Sequence, residues 1–347
     1  MKKRPNSARR GVMICGAYGR ENAGDDAVLR AVTASMREYD RTMPVTVMSR
    51  HAKQTAKRFG VEAVHPVRIL RWLWLMGRTK LFLSGGGSLI QDVTSRRSLW
   101  YYLFTIWCAK KRGCAVQLYG CGIGPVRHRR DRILSVRVLS GCVDAVTVRD
   151  EDSLQLLSDW GVQGPALRLA ADPALAFAQP VRERERTAVF ALRSWPGFWE
   201  KVPCFERAAK YVWEKYGLEP VFVTLGPGDR TAAESVCAEL DIPYKIVSDA
   251  RALGRAGLVV SMRLHGLIFA VNGGAAAAGV SYDPKVEAFC RHMNLAWTKL
   301  GGLTAENLCA LVDEAAREDA EAISENVQRQ RALEKINAAT AAELLAR

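Results

Sequence analysis

The chain has 347 residues, 49% of them hydrophobic and 25% charged, and carries a formal net charge of +14. That length suits two domains with a core each, and the composition is that of an ordinary globular protein, but the positive excess points to an anionic partner. No nucleic-acid signature accompanies the charge, nine scattered cysteines without a CxxC pair suit a reduced, cytoplasmic protein with neither disulfide framework nor zinc site, and no run reaches the roughly 18 apolar residues of a membrane span.

The basic stretch Met1 to Arg10 leads into Gly11–Gly16, which is too short for a signal sequence and reads as a buried first strand. The loop from Ala17 through Tyr18 and Asn22 to Asp25 follows, and Asn22 or Asp25 can cap a helix from Asp26 to Tyr39. Val45 to Met48 is the second strand, then helical pieces run from His51 to Phe59 and from Val67 to Met76. The latter mixes Trp72, Trp74 and leucines with Arg68 and Arg71, which suits either packing on a sheet or lying at an anionic membrane interface. Strand Leu81–Ser84 ends in Gly85, Gly86, Gly87 and Ser88; three glycines in succession are costly to order and predict a close approach to the backbone. Asp92, Arg96 and Arg97 come soon after.

Helix Leu99–Arg112, strand Ala115–Tyr119, helix Arg130–Ser140, strand Ala145–Arg149 and helix Glu151–Trp160 continue the alternation, which predicts an α/β fold with a parallel sheet covered on both faces. The loop Gly120 to Pro125 is not a dinucleotide fingerprint, so no cofactor is expected. Asp172 is either a turn former or a polar group looking into a cleft between domains. The expected domains are residues 1–178 and 187–325, with Gln179 to Arg186 as linker and a helix over 326–347 that crosses back to the first domain.

In the second half, strand Val189–Leu192 ends in Arg193, strand Leu258–Ser261 runs into Arg263, Leu264 and His265 at the opening of an apolar helix, and strand Ala278–Ser281 is followed by Lys285. Helix Pro203–Tyr216, strand Pro220–Leu225, helix Arg230–Leu240 and strand Tyr244–Ile246 lie between. Three basic groups and a histidine at C-terminal strand edges predict an anion site, with an acid–base group beside it.

Seven short motifs in order carry a resemblance to the polysaccharide pyruvyl transferase family: Asn22–Asp25, Gly85–Ser88 with Gln91-Asp92, Gly122–Pro125, Arg149-Asp150, Ala171–Pro173, Met262–His265 and Tyr282–Lys285. Gln91–Ser95 running into Arg97–Leu99 is most similar to the branch that pyruvylates secondary cell-wall polysaccharide for S-layer anchoring. The resemblance implies two Rossmann-like domains facing across a cleft, as in GT-B glycosyltransferases. It also implies phosphoenolpyruvate as donor, and as product a 4,6-ketal on a hexose, N-acetylmannosamine, of a lipid-linked saccharide at the inner leaflet. Arg97, Arg193, Arg263, Leu264, His265 and Lys285 are then the donor site, with Arg96 competing for the role of Arg97. His265 is the expected proton donor, and Asp92, Asp172 or Asp25 the base. Tyr18, Asn22, Asp25, Gly86, Gly87 and Ser88 are the expected acceptor side. No step calls for a metal. The loop Gly226–Asp229 departs from the family wording and has no assigned role.

Overall fold

The computed structural model describes residues 9–93, 95–177 and 183–347. Most of the basic N-terminal stretch, Thr94, Ala178 and the part of the expected linker from 179 to 182 lie outside the described residues.

The chain forms two compact units. Unit 1 takes in the chain up to Arg20, Asp25–Ala176 and Gln330–Arg347; unit 2 takes in Glu21–Gly24 and Phe177–Arg329. Unit 1 begins β1 (Val12–Cys15), α1 (Ala23–Tyr39), β2 (Val45–Met48), α2 (Ala52–Phe59), β3 (Glu62–Val64), α3 (Ile69–Met76) and β4 (Leu81–Gly85). It continues through α4 (Arg96–Arg112), β5 (Ala115–Cys121), α5 (Arg129–Cys142), β6 (Ala145–Val148), α6 (Glu151–Asp159) and β7 (Ala166–Leu169). Its strands form one parallel sheet in the order β3-β2-β1-β4-β5-β6-β7. The central strands are short unbroken apolar runs because helices cover both faces; Val12–Cys15 is buried at every position.

Unit 2 repeats the plan with β8 (Glu185–Ala191), α7 (Val202–Tyr216), β9 (Glu219–Val223), α8 (Asp229–Cys237), β10 (Lys245–Val247), α9 (Arg251–Arg255) and β11 (Ala256–Ser261). Then come α10 (Leu264–Asn272), β12 (Ala276–Ser281), α11 (Pro284–Met293), β13 (Trp297–Lys299), α12 (Ala305–Ala315) and α13 (Ala320–Ala346). Its parallel sheet has the order β10-β9-β8-β11-β12-β13. Each unit has its own core, around Phe82, Tyr102 and Val146 in the first and Phe190, Phe205 and Phe222 in the second. The C-terminal half of α13 belongs to unit 1, where Gln117 Nε2 donates to the Asn337 carbonyl (3.1 Å) and Arg168 pairs with Glu343 (2.8 Å).

Several local expectations need correction. The first helix starts at Ala23, three residues before Asp26, because the Asn22 carboxamide accepts the Gly24 N–H (2.9 Å) and supplies the cap. The fourth starts at Arg96, not Leu99, with Ser95 as its cap, which places Arg97 on the helix. Strand β8 begins at Glu185, inside the stretch expected as linker. Strands β3, β7 and β13 and the short α9 have no counterpart among the expected elements; β3 and β7 are edge strands in which Val64 alone is buried, so neither shows an apolar run. Trp72 is a core residue, 1% exposed, with its ring N–H donated to the Pro66 carbonyl (2.9 Å), so it offers nothing to a membrane.

Candidate active site

In a doubly wound sheet, ligands collect at the C-terminal strand ends where the strand order reverses. In unit 2 that point lies between β8 and β11. The two strands are in register at Ala191 and Ser261, so Arg193 and Arg263, each two residues further on, leave the sheet side by side. Strand β12 is paired on the other flank of β11, Ser261 opposite Gly279, and Lys285 opens the helix that follows it.

Each cation is held. Arg263 is 8% exposed, and its Nε and Nη2 both donate to Asp229 Oδ1, the former at 3.0 Å. Asp229 Oδ2 takes the N–H groups of Leu225 (2.9 Å) and Gly226 (3.0 Å). A carboxylate so saturated orients the guanidinium and counters its charge. Arg193 donates to the Tyr282 hydroxyl (2.9 Å) and lies against the rings of Trp195 and Tyr282, at 5.3 and 5.4 Å. Lys285 pairs with Asp283 at 3.3 Å. Three cations thus stand against two carboxylates.

His265 is half-buried in the first turn of α10, where helix N–H groups favour negative charge. Gly266 follows it because a larger residue would strike Ser261 Oγ, which bridges the turn by accepting the Arg263 N–H (3.0 Å). The imidazole lies over Gly24: a Cβ there would collide with His265 Nδ1. Ala23 donates its N–H to the Leu225 carbonyl (2.8 Å), so Asn22–Gly24, expected on the acceptor side, is built into unit 2 beside the histidine. Leu264 is buried, 4% exposed, and contributes packing.

The corresponding edge of unit 1 is occupied by the chain itself. Tyr18 is 2% exposed, and its hydroxyl donates to the Gly85 carbonyl (2.7 Å). Burial raises that phenol well above its ordinary pKa, so it stays a donor. Gly86 has φ +74°, and a Cβ there would strike Val28 of α1. The approach to Gly86 is therefore made by α1; Gly87 shares the left-handed backbone, and a Cβ there would meet Asp25 Oδ1 at 3.8 Å. Ser88 Oγ accepts from Arg149 (3.2 Å), whose other arm donates to Asp172 (3.1 Å). Asp172 is buried and also accepts the Ala174 N–H (3.0 Å), so it is both turn former and ion-pair partner.

Asp92 accepts the N–H groups of Arg127 (2.9 Å) and His128 (3.0 Å) and faces His128 Nδ1 (2.7 Å). Burial would raise its pKa, but these bonds together bring it below the ordinary carboxylate value. It fastens the loop before α5 and is a poor base. Both Arg96 and Arg97 are exposed, but Arg96 pairs with Asp131 (2.7 Å), whereas Arg97 has no ion pair among the described residues. Asp92, His128 and Asp131 could offer ligand atoms within 4.8 Å of one another, yet Asp131 is matched by Arg96 and by the Trp100 ring N–H (3.0 Å), a donor set that repels a cation.

Two residues that shape these strand ends are not singled out by the sequence. Asp229 sits in the loop that departs from the family wording, and its signal is a carboxylate beginning a helix after Gly-Pro-Gly. Arg149 was visible only as half of a motif; its buried position behind the glycine loop is a product of β6 lying beside β5.

Comparison with solved structures shows the same fold. The glycotransferase of kitacinnamycin superposes with a TM-score of 0.64 at 12% identity, covering 97% of this chain and 99% of that one. A UDP-GlcNAc 2-epimerase from Neisseria meningitidis, bound to UDP-GlcNAc, gives 0.63 at 12% identity over 96% and 99%. A glycosyltransferase from Rickettsia africae gives 0.62 at 10% identity over 97% and 99%. At such identities the likeness shows the fold alone, two parallel-sheet α/β domains of GT-B type. Comparison with curated protein sequences found no match. Residues 22–284, which carry the motifs placed above up to Pro284, match the polysaccharide pyruvyl transferases, and the chain belongs to that family of transferases.

Proposed function

We propose that the protein moves the pyruvyl group of phosphoenolpyruvate onto a hexose of a lipid-linked cell-wall saccharide, closing a 4,6-ketal and releasing phosphate. The acceptor sugar proposed is N-acetylmannosamine, in the secondary cell-wall polysaccharide that anchors an S-layer. The work would take place at the cytoplasmic face of an anionic membrane. The observation that carries this reading is the alignment of Arg193 and Arg263 at the reversal point of one sheet, with His265 two residues past Arg263 and Lys285 opening the helix after the next strand.

Phosphoenolpyruvate brings roughly three negative charges, and charge-assisted bonds to arginine suit both its phosphate and its carboxylate. Three cations less two carboxylates leave a deficit. A protonated His265 reduces it, so donor binding and protonation of the histidine favour each other. His265 then gives its proton to the methylene carbon as the first sugar hydroxyl bonds to the central carbon. The second hydroxyl attacks the same carbon and the C–O bond to phosphate breaks, its electrons leaving with the phosphate; Arg263 and Lys285 stabilise that charge. Two hydroxyl protons are released; one replenishes His265 and the other leaves on the phosphate. Asp172 and Asp92 are engaged as acceptors in the fold, which argues against both as the base; Asp25 stays a proposed candidate. Arg97 remains a proposed donor contact. The chemistry proposed uses neither metal nor cofactor.

The test is mass spectrometry of a lipid-linked disaccharide incubated with phosphoenolpyruvate, in which the expected product carries one added pyruvyl unit. The GT-B fold supports a second reading, a nucleotide-sugar glycosyltransferase. Isothermal titration separates the two: heat with phosphoenolpyruvate and none with UDP-sugars is expected, and the reverse pattern overturns the pyruvyl reading.

A further inference from the structure

We propose that the outer face of α3 and α4 docks the protein on an anionic phospholipid bilayer. This deepens the reading of a lipid-linked acceptor and rests on it for its purpose, although the surface itself is argued from charge and exposure.

Charge is segregated along the chain. Residues 63–130 contain twelve Lys and Arg and one carboxylate, Asp92, an excess of eleven within a chain whose total is +14. Asp92 is buried and bonded inward; just outside this stretch Glu62 pairs with Arg71 (3.3 Å) and Asp144 with Lys110 (2.6 Å), so the negative charge beside the two helices is already matched. Helix α3 opens with Arg68 at its cap position and Arg71 in its first turn. Cations there oppose the helix dipole, so they serve something other than the helix.

The same two helices expose large apolar side chains. Leu70 is 84% exposed, Trp74 44%, Phe104 45% and Trp107 44%. On α4 the positions 100, 104, 107 and 111 fall on one stripe, while Leu99, Leu103 and Ile106 on the other face are buried in the core. The two helices present one continuous surface. The buried Trp72 of α3 meets Phe104 edge to face at 6.2 Å, Phe104 stacks with Trp107 at 6.2 Å, and Arg112 donates to the Leu73 carbonyl at 3.1 Å. Cations border it: the Arg78 guanidinium lies over the Trp74 ring at 3.9 Å, and Arg68 and Lys111 are exposed, with no ion pair for any of the three among the described residues.

Tryptophan and phenylalanine flanked by long basic side chains suit the boundary between headgroups and acyl chains. The rings enter the interface while the arginines and lysine meet lipid phosphates. Charge complementarity selects an anionic bilayer over a neutral one. No helix among the described residues is long and apolar enough to cross a membrane, so this attachment lies in the plane of the interface and is reversible. The lipid contact expected at Trp72 and Trp74 moves outward to Leu70, Trp74, Phe104 and Trp107.

The experiment is co-sedimentation of the full chain with vesicles of phosphatidylcholine, with and without about one third phosphatidylglycerol. Binding to the anionic vesicles is expected, weakening with salt, and pure phosphatidylcholine should bind far less. A variant combining Leu70→Ser, Trp74→Ser, Phe104→Ser and Trp107→Ser should lose about tenfold or more of that binding while melting like the parent. A control with Trp213→Ser and Tyr244→Ser, comparably exposed on unit 2, should bind as the parent does. Unchanged binding of the fourfold variant overturns the proposal. So does a parent that ignores anionic vesicles, or one that forms a dimer which the fourfold variant abolishes, since a second copy would then be the occupant. Pyruvyl transfer to a water-soluble acceptor without vesicles tests the proposed reaction separately, and there the fourfold variant should match the parent.

Discussion

The two sheets share one winding, 3-2-1-4-5-6, and so each has a crevice where the strand order reverses: β1 against β4 in unit 1, β8 against β11 in unit 2. The residues that leave those strands make opposite use of it. In unit 1, Tyr18 bonds across to the Gly85 carbonyl and Val28 fills the space over Gly86. In unit 2, Arg193 and Arg263 leave side by side with His265 close behind. Strand order therefore fixes where a site can be, and the few residues after each strand decide whether the place is closed or charged.

The largest expected effect is at the open crevice. His265→Ala should reduce pyruvyl transfer by about 10²–10⁴-fold, the usual contribution of a positioned general acid, with the melting temperature unchanged. Steady-state turnover of phosphoenolpyruvate on the folded variant measures it. Retained turnover would remove the histidine from the chemistry.

At the closed crevice the next effect should appear in stability. Arg149→Met leaves Asp172 buried beside an apolar chain, and breaking such a pair costs about 3–5 kcal/mol. Urea unfolding gives the value. A variant that keeps its stability but raises KM for the saccharide would show that Ser88, Arg149 and Asp172 face a ligand, and the contrast between the two sheets would fail.

Buried carboxyls offer a pH test within each unit. Burial chiefly, helped by the Asp172 charge, pushes Glu334 of unit 1 up to about 7 from an ordinary 4.5. Burial likewise takes Glu318 of unit 2 to about 7 from 4.5. A raised carboxyl binds its proton more tightly in the folded state. Its contribution is thus fully present below 4.5 and is lost as the pH climbs through 7. Glu334→Gln should gain as much as about 3 kcal/mol over the parent near pH 8 and almost nothing near pH 4, read from denaturant midpoints at the two pH values. Glu318→Gln should do the same in unit 2, and unequal gains would show that the two cores differ in water access.

Strand–helix alternation, the crevice side of each sheet and the basic trio were legible because apolar runs and the arginines ending them are local patterns. Asp229 was not, because its partner Arg263 is 34 residues away and the two meet only once β9 and β11, the strands before them, stand in one sheet with β8 between. The cost of Gly85–Gly87 predicts a close approach to the backbone, and at Gly86 it is Val28 that approaches. Cost in the backbone reveals that something comes close, but a side chain from a neighbouring helix and a substrate leave the same mark. Trp72 and Trp74 looked alike in sequence and lie on opposite sides of the surface, since half a turn of α3 separates core from solvent.

The smallest effect separates these two kinds of closeness. Tyr18→Phe deletes one hydroxyl and keeps the ring, and the Gly85 carbonyl loses its donor at 2.7 Å. If the hydroxyl only fastens β1 to the glycine loop, the loss is one buried hydrogen bond, about 1 kcal/mol, seen as a small fall in the denaturant midpoint with kcat and KM unchanged. A saccharide that used this tyrosine would have to compete with the carbonyl for the only hydrogen the phenol has, and burial keeps that hydrogen in place throughout the working pH range. KM for the acceptor rising with stability intact would therefore mean that the loop opens when the sugar binds, and the closed crevice of unit 1 would be one state of a moving one.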